Sequence, residues 1–202
     1  MSSSPAPTNS PETSTEALPS PGAMQPQSRP EALASTLVEI EAHIDQLGWD
    51  RPVLVFALAR TLSMLDSDPA VAKLLPKTAR QEAQANPEAL TAVLQENLPA
   101  TSTLDELLSQ LSWPTHVEGA AICTESMVVP ADVEAKALAI TDPQERQELL
   151  EAHAERQDVR LLAAVMRTGE NWCVMRMRGQ DQLVQGEDLV PELVAGLRST
   201  FA

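Results

Sequence analysis

Five side chains in this sequence have the chemistry to hold a metal ion or act as a nucleophile–base pair: His43, His116, His153, Cys123 and Cys173. Zinc needs several donors converging on one ion, which short sequences usually supply as C-x₂-C or H-x₃-H pairs. None of the five has such a partner, so no metal site is expected. Cys123 and Cys173 fall within apolar, strand-like runs, where a free Cys behaves as a small buried hydrophobe. Both are expected to be interior thiols. Cys123 and His116 would lie on opposite faces of one straight strand, because side chains alternate with period two. They could meet only if the strand begins after His116. Among the seven glycines there is no G-x-G-x-x-G or phosphate-cradling loop, and no G-x-S-x-G elbow occurs. No cofactor is therefore expected. The carboxylates are spread along helical segments like solvated faces, not as a paired acid and base.

The one place where charge, pattern and an aromatic ring converge is Asp158–Arg178, DVRLLAAVMRTGENWCVMRMR. Its arginines outnumber Asp158 and Glu170, within a chain of net charge −15. The alternation reads as a β-hairpin, and Gly169-Glu170 suits a two-residue type II′ turn. That turn pairs 168 with 171, 166 with 173, 164 with 175 and 162 with 177. One face is then Leu162, Ala164, Met166, Cys173, Met175 and Met177, all apolar and directed to the core. The other, partly wet face carries Arg167, Trp172, Arg176 and Arg178. Arg167 would sit opposite Trp172, close enough for a cation–π contact of about 0.5–1 kcal/mol. Arg and Trp are residue types enriched at interface anchors, so these four are the candidate binding residues, facing an acidic peptide, a carboxylated ligand or a second copy. Helix carboxylates covering the arginines would be the purely structural alternative.

The overall charge restricts partners. Fourteen Lys and Arg stand against twenty-nine Asp and Glu, so most of the surface repels nucleic acid, which is bound largely by neutralising phosphates. No stretch approaches the ~20 apolar residues of a membrane span, and no secretory signal opens the chain. A cytoplasmic protein is expected. The first thirty residues hold seven Pro and seven Ser with only Glu12, Glu16 and Arg29 charged. Such composition cannot offset ordering entropy, so residues 1–29 are expected to be a disordered tail and residues 30–202 a single domain.

Elements that would position these residues follow from periodicity. Ser28-Arg29-Pro30-Glu31 has capping-box spacing, and Leu33, Leu37, Ile40, Ile44 and Leu47 continue it as a helix that Gly48 ends. Val53–Leu58 reads as a strand, Asp68-Pro69 to Pro76 as a short helix, and Leu90–Gln95 as a strand. Residues 76–88 fit a loop or a weak helix. Thr103–Glu106 is a second capping box, with Leu104, Leu107, Leu108 and Leu111 on one face. Val117–Val129 reads as a long strand and Pro143–Ala154 as a polar helix. A last helix near Leu189–Phe201 carries Val190, Leu193, Val194, Leu197 and Phe201 on one stripe. The fold class expected is α+β, with a roughly five-stranded, mainly antiparallel sheet and helices packed on it.

Taken in order, GWDRPVLVFALA, LSWPTHVEGAA, the Asp158–Arg178 hairpin and DLVPELVAGLRSTF resemble a family of uncharacterised actinobacterial proteins known by a locus tag. The resemblance spans residues 31–202 and brings no catalytic residues with it. Two kinds of function fit. One is a non-enzymatic interaction protein: an adaptor, a chaperone-like binder or a self-associating scaffold. The other is a small-molecule enzyme or ligand-binding domain whose site is assembled from scattered polar residues. A flat or grooved apolar patch beside the hairpin would favour the first, and a pocket with convergent carboxylates or histidines the second.

Overall fold

The computed structural model describes residues 27–67, 73 and 77–201. The helix expected between Asp68-Pro69 and Pro76, and the expected tail as far as residue 26, lie outside these residues. The last positions assigned to the tail are ordered. Gln27 donates from Nε2 to Ser35 Oγ and accepts from Asn86 Nδ2 at 2.8 Å. Helix α1 (Arg29–Gln46) starts at the predicted capping box, where the Glu31 carboxylate accepts the Ser28 N–H at 2.8 Å. It ends before Gly48, which adopts φ +83°.

Strand β1 (Leu54–Arg60) runs directly into α2 (Thr61–Ser67), an element with too few apolar positions to show periodicity. Then follow α3 (Lys77–Ala85), β2 (Leu90–Leu94), α4 (Leu104–Gln110) and β3 (Gly119–Val128). Helix α5 (Ala131–Leu138) fills a stretch given no element from the sequence, and Pro130 supplies its N-cap position. After α6 (Pro143–Glu151) come β4 (Gln157–Met166), β5 (Asn171–Met177), β6 (Leu183–Gly186) and α7 (Pro191–Ser199). Among the described residues six strands form one sheet in the order β2-β1-β3-β4-β5-β6, and every neighbouring pair is antiparallel. The α+β class is thus the observed one. The extra strand is β6, a four-residue edge whose only apolar side chains are Leu183 and Val184.

Both faces of the sheet are covered. Leu33, Leu37, Ile40 and Ile44 of α1 pack on Phe56, Leu58, Ala121, Leu162, Ala164 and Val174. On the opposite face, Leu107 and Leu108 of α4 with Val194 and Leu197 of α7 pack on Val55, Ile122, Ala163 and Val165. Each fully buried Leu or Val contributes roughly 1.5–3 kcal/mol.

This double burial explains why the expected hairpin register is wrong. The β4–β5 connection is a three-residue loop, not a two-residue type II′ turn. Met166 N–H bonds Glu170 O at 2.8 Å, and Gly169 N–H bonds Met166 O at 3.0 Å. Gly169 takes φ +109°, at the position such loops reserve for glycine. Cys173 therefore faces Ala163, not Met166, and Trp172 faces Ala164. This odd-numbered slip exchanges the faces of β5 relative to β4. The expectation assumed one wet face, but β4 is buried from Val159 to Met166 apart from half-buried Leu161. An almost continuous apolar run carries no alternation from which to read register.

Candidate functional site

Of the four residues expected to share one wet face, Trp172, Arg176 and Arg178 do share a face, but it is the one covered by α1, and Arg167 is not on it. Arg167 lies in the hairpin loop rather than opposite Trp172. Its Nε donates to Val117 O at 2.8 Å and one Nη to Trp113 O and Pro114 O. Its guanidinium stacks 4.7 Å from the Phe201 ring centroid, tying the loop to the end of α7. Trp172 packs against the α1-side core, and its indole N–H is buried without a hydrogen-bond partner among the described residues.

Arg176 and Arg178 do remain together, on the α1 side of the sheet, where acidic residues of α1 and the loop after it receive them. Arg176 donates from Nε and Nη2 to the two carboxylate oxygens of Glu41, both at 2.6 Å. Its guanidinium pKa is raised, chiefly by that hydrogen-bonded pair. Arg178 bonds Asp50 at 2.6 Å and Asp158 at 3.0 Å. Its hydrogen bond is also the main reason the Asp158 carboxyl titrates below its usual range.

Directly across the β4–β5 ladder from Arg176 lies Arg160, whose side chain is 0% exposed. It donates to Glu41 at 3.3 Å, Asp45 at 3.4 Å and Gly48 O at 2.7 Å. Trp49 is flanked by two cations, with Arg160 4.4 Å and Arg178 5.2 Å from its ring centroid. Three of the hairpin's arginines are thus neutralised by carboxylates of this same chain. Sequence reasoning missed Glu41 and Arg160, although both left a signal. Glu41 sits between Leu37, Ile40 and Ile44 on the buried stripe, and Arg160 interrupts an apolar strand.

An open groove lies on the other side of the sheet, with a volume of about 650 Å³. Thr124 and Ser126 of β3 and Leu161 of β4 form its floor. Leu104 and Leu108 of α4 line one side, and Leu189, Val190, Pro191 and Leu193 at the start of α7 line the other. The size falls within the range of about 300–1,000 Å³ typical of ligand sites. Among the described residues no Lys, Arg or His lines it, and its charged lining residues are Asp105, Glu125 and Glu192.

Glu125 alternates to the α1 side, where it accepts the Asp50 N–H at 2.7 Å and lies 3.5 Å from Arg160. Asp105 and Glu192 are exposed, each in the first turn of its helix. Neither carboxylate makes an ion pair among the described residues, and neither the Thr124 nor the Ser126 hydroxyl has a hydrogen-bond partner there. The sequence hinted at this groove only through the short apolar stripes of its two helices.

Both thiols are interior. Cys123 belongs to the α1-side core, and burial pushes its pKa up to about 12. Cys173 lies on the opposite face, and burial raises its pKa too. Strand β3 does begin after His116, but that imidazole is exposed in the preceding loop while Cys123 is buried. Among the described residues no three His, Cys, Asp or Glu side chains are placed to hold a metal ion.

A family model described as PPA1309-like protein matches residues 33–202. The chain belongs to the PPA1309-like family. The match takes in the whole sheet, the arginine network and the groove. No curated protein and no solved structure matches the chain. Among the described residues of this PPA1309-like family member, no helix is long and apolar enough to cross a membrane.

Proposed function

We propose that this PPA1309-like family member is a non-enzymatic protein-interaction module of the actinobacterial cytoplasm, an adaptor or chaperone-like binder. Its docking site is the groove between α4 and α7. The observation that carries the reading is the groove itself. It is apolar on both sides, open to solvent, and floored by two hydroxyls that have no hydrogen-bond partner among the described residues. A small-molecule enzyme would need titratable groups converging over a reacting atom. Here Glu125 turns to the opposite face, and Asp105 and Glu192 stand exposed on separate helices. The arginines of the hairpin are less available to an acidic partner than their sequence suggested, because Glu41, Asp45, Asp50 and Asp158 already hold them.

The test is selection from a displayed random-peptide library, on the full chain and on Ser126→Trp. Ser126 is exposed on the groove floor, and an aromatic residue suits a strand, so this variant fills the groove without threatening the core. Peptides enriched on the parent and lost on the variant are the expected result. No enrichment, or equal enrichment on both proteins, would overturn the reading.

A further inference from the structure

We infer that the groove selects its partner by charge as well as by shape, taking an apolar side chain flanked by Lys or Arg. The inference rests on the interaction reading above and deepens it by naming the chemistry of the occupant. The apolar sides call for an aliphatic or aromatic anchor. The electrostatics then decide what surrounds that anchor. Asp105 and Glu192 stand beside the two sides of the groove, exposed and without ion pairs among the described residues. No basic side chain among the described residues lines the groove.

The contrast with the paired carboxylates on the opposite face of the sheet is informative. On the other side of the sheet, Arg160 and Arg176 meet Glu41 and Asp45, and Arg178 meets Asp50 and Asp158. Near Arg60, Glu88 and Glu118 lie at 3.3 and 2.7 Å. Acidic side chains in those places have internal cations; the two beside the groove do not. An approaching cation would also be drawn by the net charge of −15.

The same arithmetic disfavours a second copy of this chain as occupant. It would bring another −15 body to the groove, with three hairpin arginines already paired. A carboxylated amphiphile meets the same repulsion. The free hydroxyls of Thr124 and Ser126 suit main-chain groups of a peptide laid along the floor, since a hydroxyl can both donate and accept.

The experiment titrates three fluorescein-labelled peptides that share a Leu-rich centre and differ only in their flanks: Lys, Ser or Glu. Binding to the full chain is read by fluorescence anisotropy at low and at physiological salt. The expected order of affinity is Lys, then Ser, then Glu, with the preference shrinking as salt rises. Asp105→Lys/Glu192→Lys should weaken the Lys-flanked peptide by roughly tenfold and invert the order, as expected for two exposed ion pairs lost and two repulsions gained. Ser126→Trp should abolish binding of all three. If the peptides bind equally and only Ser126→Trp abolishes binding, the charge inference falls and the groove reading stands. If none binds, and Ser126→Trp leaves the library selection unchanged, both fall. Concentration-dependent dimerisation that Ser126→Trp removes would make the second copy the occupant and overturn the inference.

Discussion

Arg176 and Glu41 lie 135 positions apart in sequence, yet both oxygens of the Glu41 carboxylate accept from that one guanidinium at 2.6 Å. Glu41 is only 1% exposed and also faces Arg160, which is 0% exposed. The α1-to-sheet packing thus contains a buried charged cluster beside Leu37 and Ile44. Removing one member of such a cluster leaves its partners charged and dry. Glu41→Leu should therefore cost about 3–5 kcal/mol of stability, measured by urea unfolding. The concerted change of Glu41, Arg160 and Arg176 to apolar residues of similar volume should cost much less than the single change. Replacing Arg176 and Arg178 with Glu should destabilise the fold markedly, because Glu would then face Glu41, Asp50 and Asp158.

The exposed end of the same network has a predictable pH dependence. Arg178 and, secondarily, Arg156 hold the Asp158 carboxyl below its usual pKa. A depressed folded-state pKa contributes stability that is fully present above the unfolded value and is lost as pH falls through the folded one. Asp158→Asn should therefore lower Tm at neutral pH, and the gap to the parent should close in the acid range below the ordinary carboxylate pKa. The pair is solvent-screened, so the neutral-pH loss should not exceed about 1 kcal/mol. A gap that persists unchanged into acid would assign the effect to packing instead.

The starts of α1 and α4 and the positions of most strands were readable because their signals are local. The Ser28/Glu31 and Thr103/Glu106 boxes are visible as residue spacing, and both cap their helices. The stripe Val190, Leu193, Val194, Leu197 and Phe201 packs in the core as its periodicity indicates. What depended on pairing between distant segments was not readable. The hairpin register turned on whether β4 had one buried face or two, and two distant helices decide that. The arginine network is partly legible in the sequence, since helix carboxylates are available to cover the hairpin. Arg160 gives no alternation signal in its apolar strand, and Arg167 lies in the loop rather than on the strand its spacing indicates. The groove combines residues of α4, β3, β4 and the start of α7, and no spacing rule connects them.

Cysteine reactivity offers a check on the two buried faces. The thiolate is the reactive form, and burial pushes the Cys123 pKa up to about 12. Cys173 is raised as well and lies in the opposite core cluster. Alkylation with iodoacetamide near neutral pH should leave both unmodified in the native protein and label both after denaturation, as read by intact-mass spectrometry. Native labelling of Cys173 alone would show that the α4/α7 cover opens, because that cysteine packs under α7 with Ala163 and Val165.

Gly119 and Gly169 should respond differently to the same small substitution. At Gly119 a Cβ would stand 2.5 Å from Met166 Sδ and 2.8 Å from Val165 O. A methionine side chain can rearrange, but the carbonyl belongs to the β4 backbone, and Gly119 pairs with Met166 in the central β3–β4 ladder. Gly119→Ala should force these strands apart and cost about 1–3 kcal/mol, the range for overpacking a filled interior. Trimming Met166 to Ala should not rescue it, since the clash with Val165 O remains. At Gly169 nothing lies within 4 Å of the added carbon, and the obstacle is only φ +109°. Gly169→Ala should cost less than Gly119→Ala, and Gly169→Asn less than Gly169→Ala, because Asn tolerates positive φ better. Urea midpoints of these variants would test the ranking. Rescue of Gly119→Ala by Met166→Ala would show that the side chain, and not the strand backbone, sets the limit.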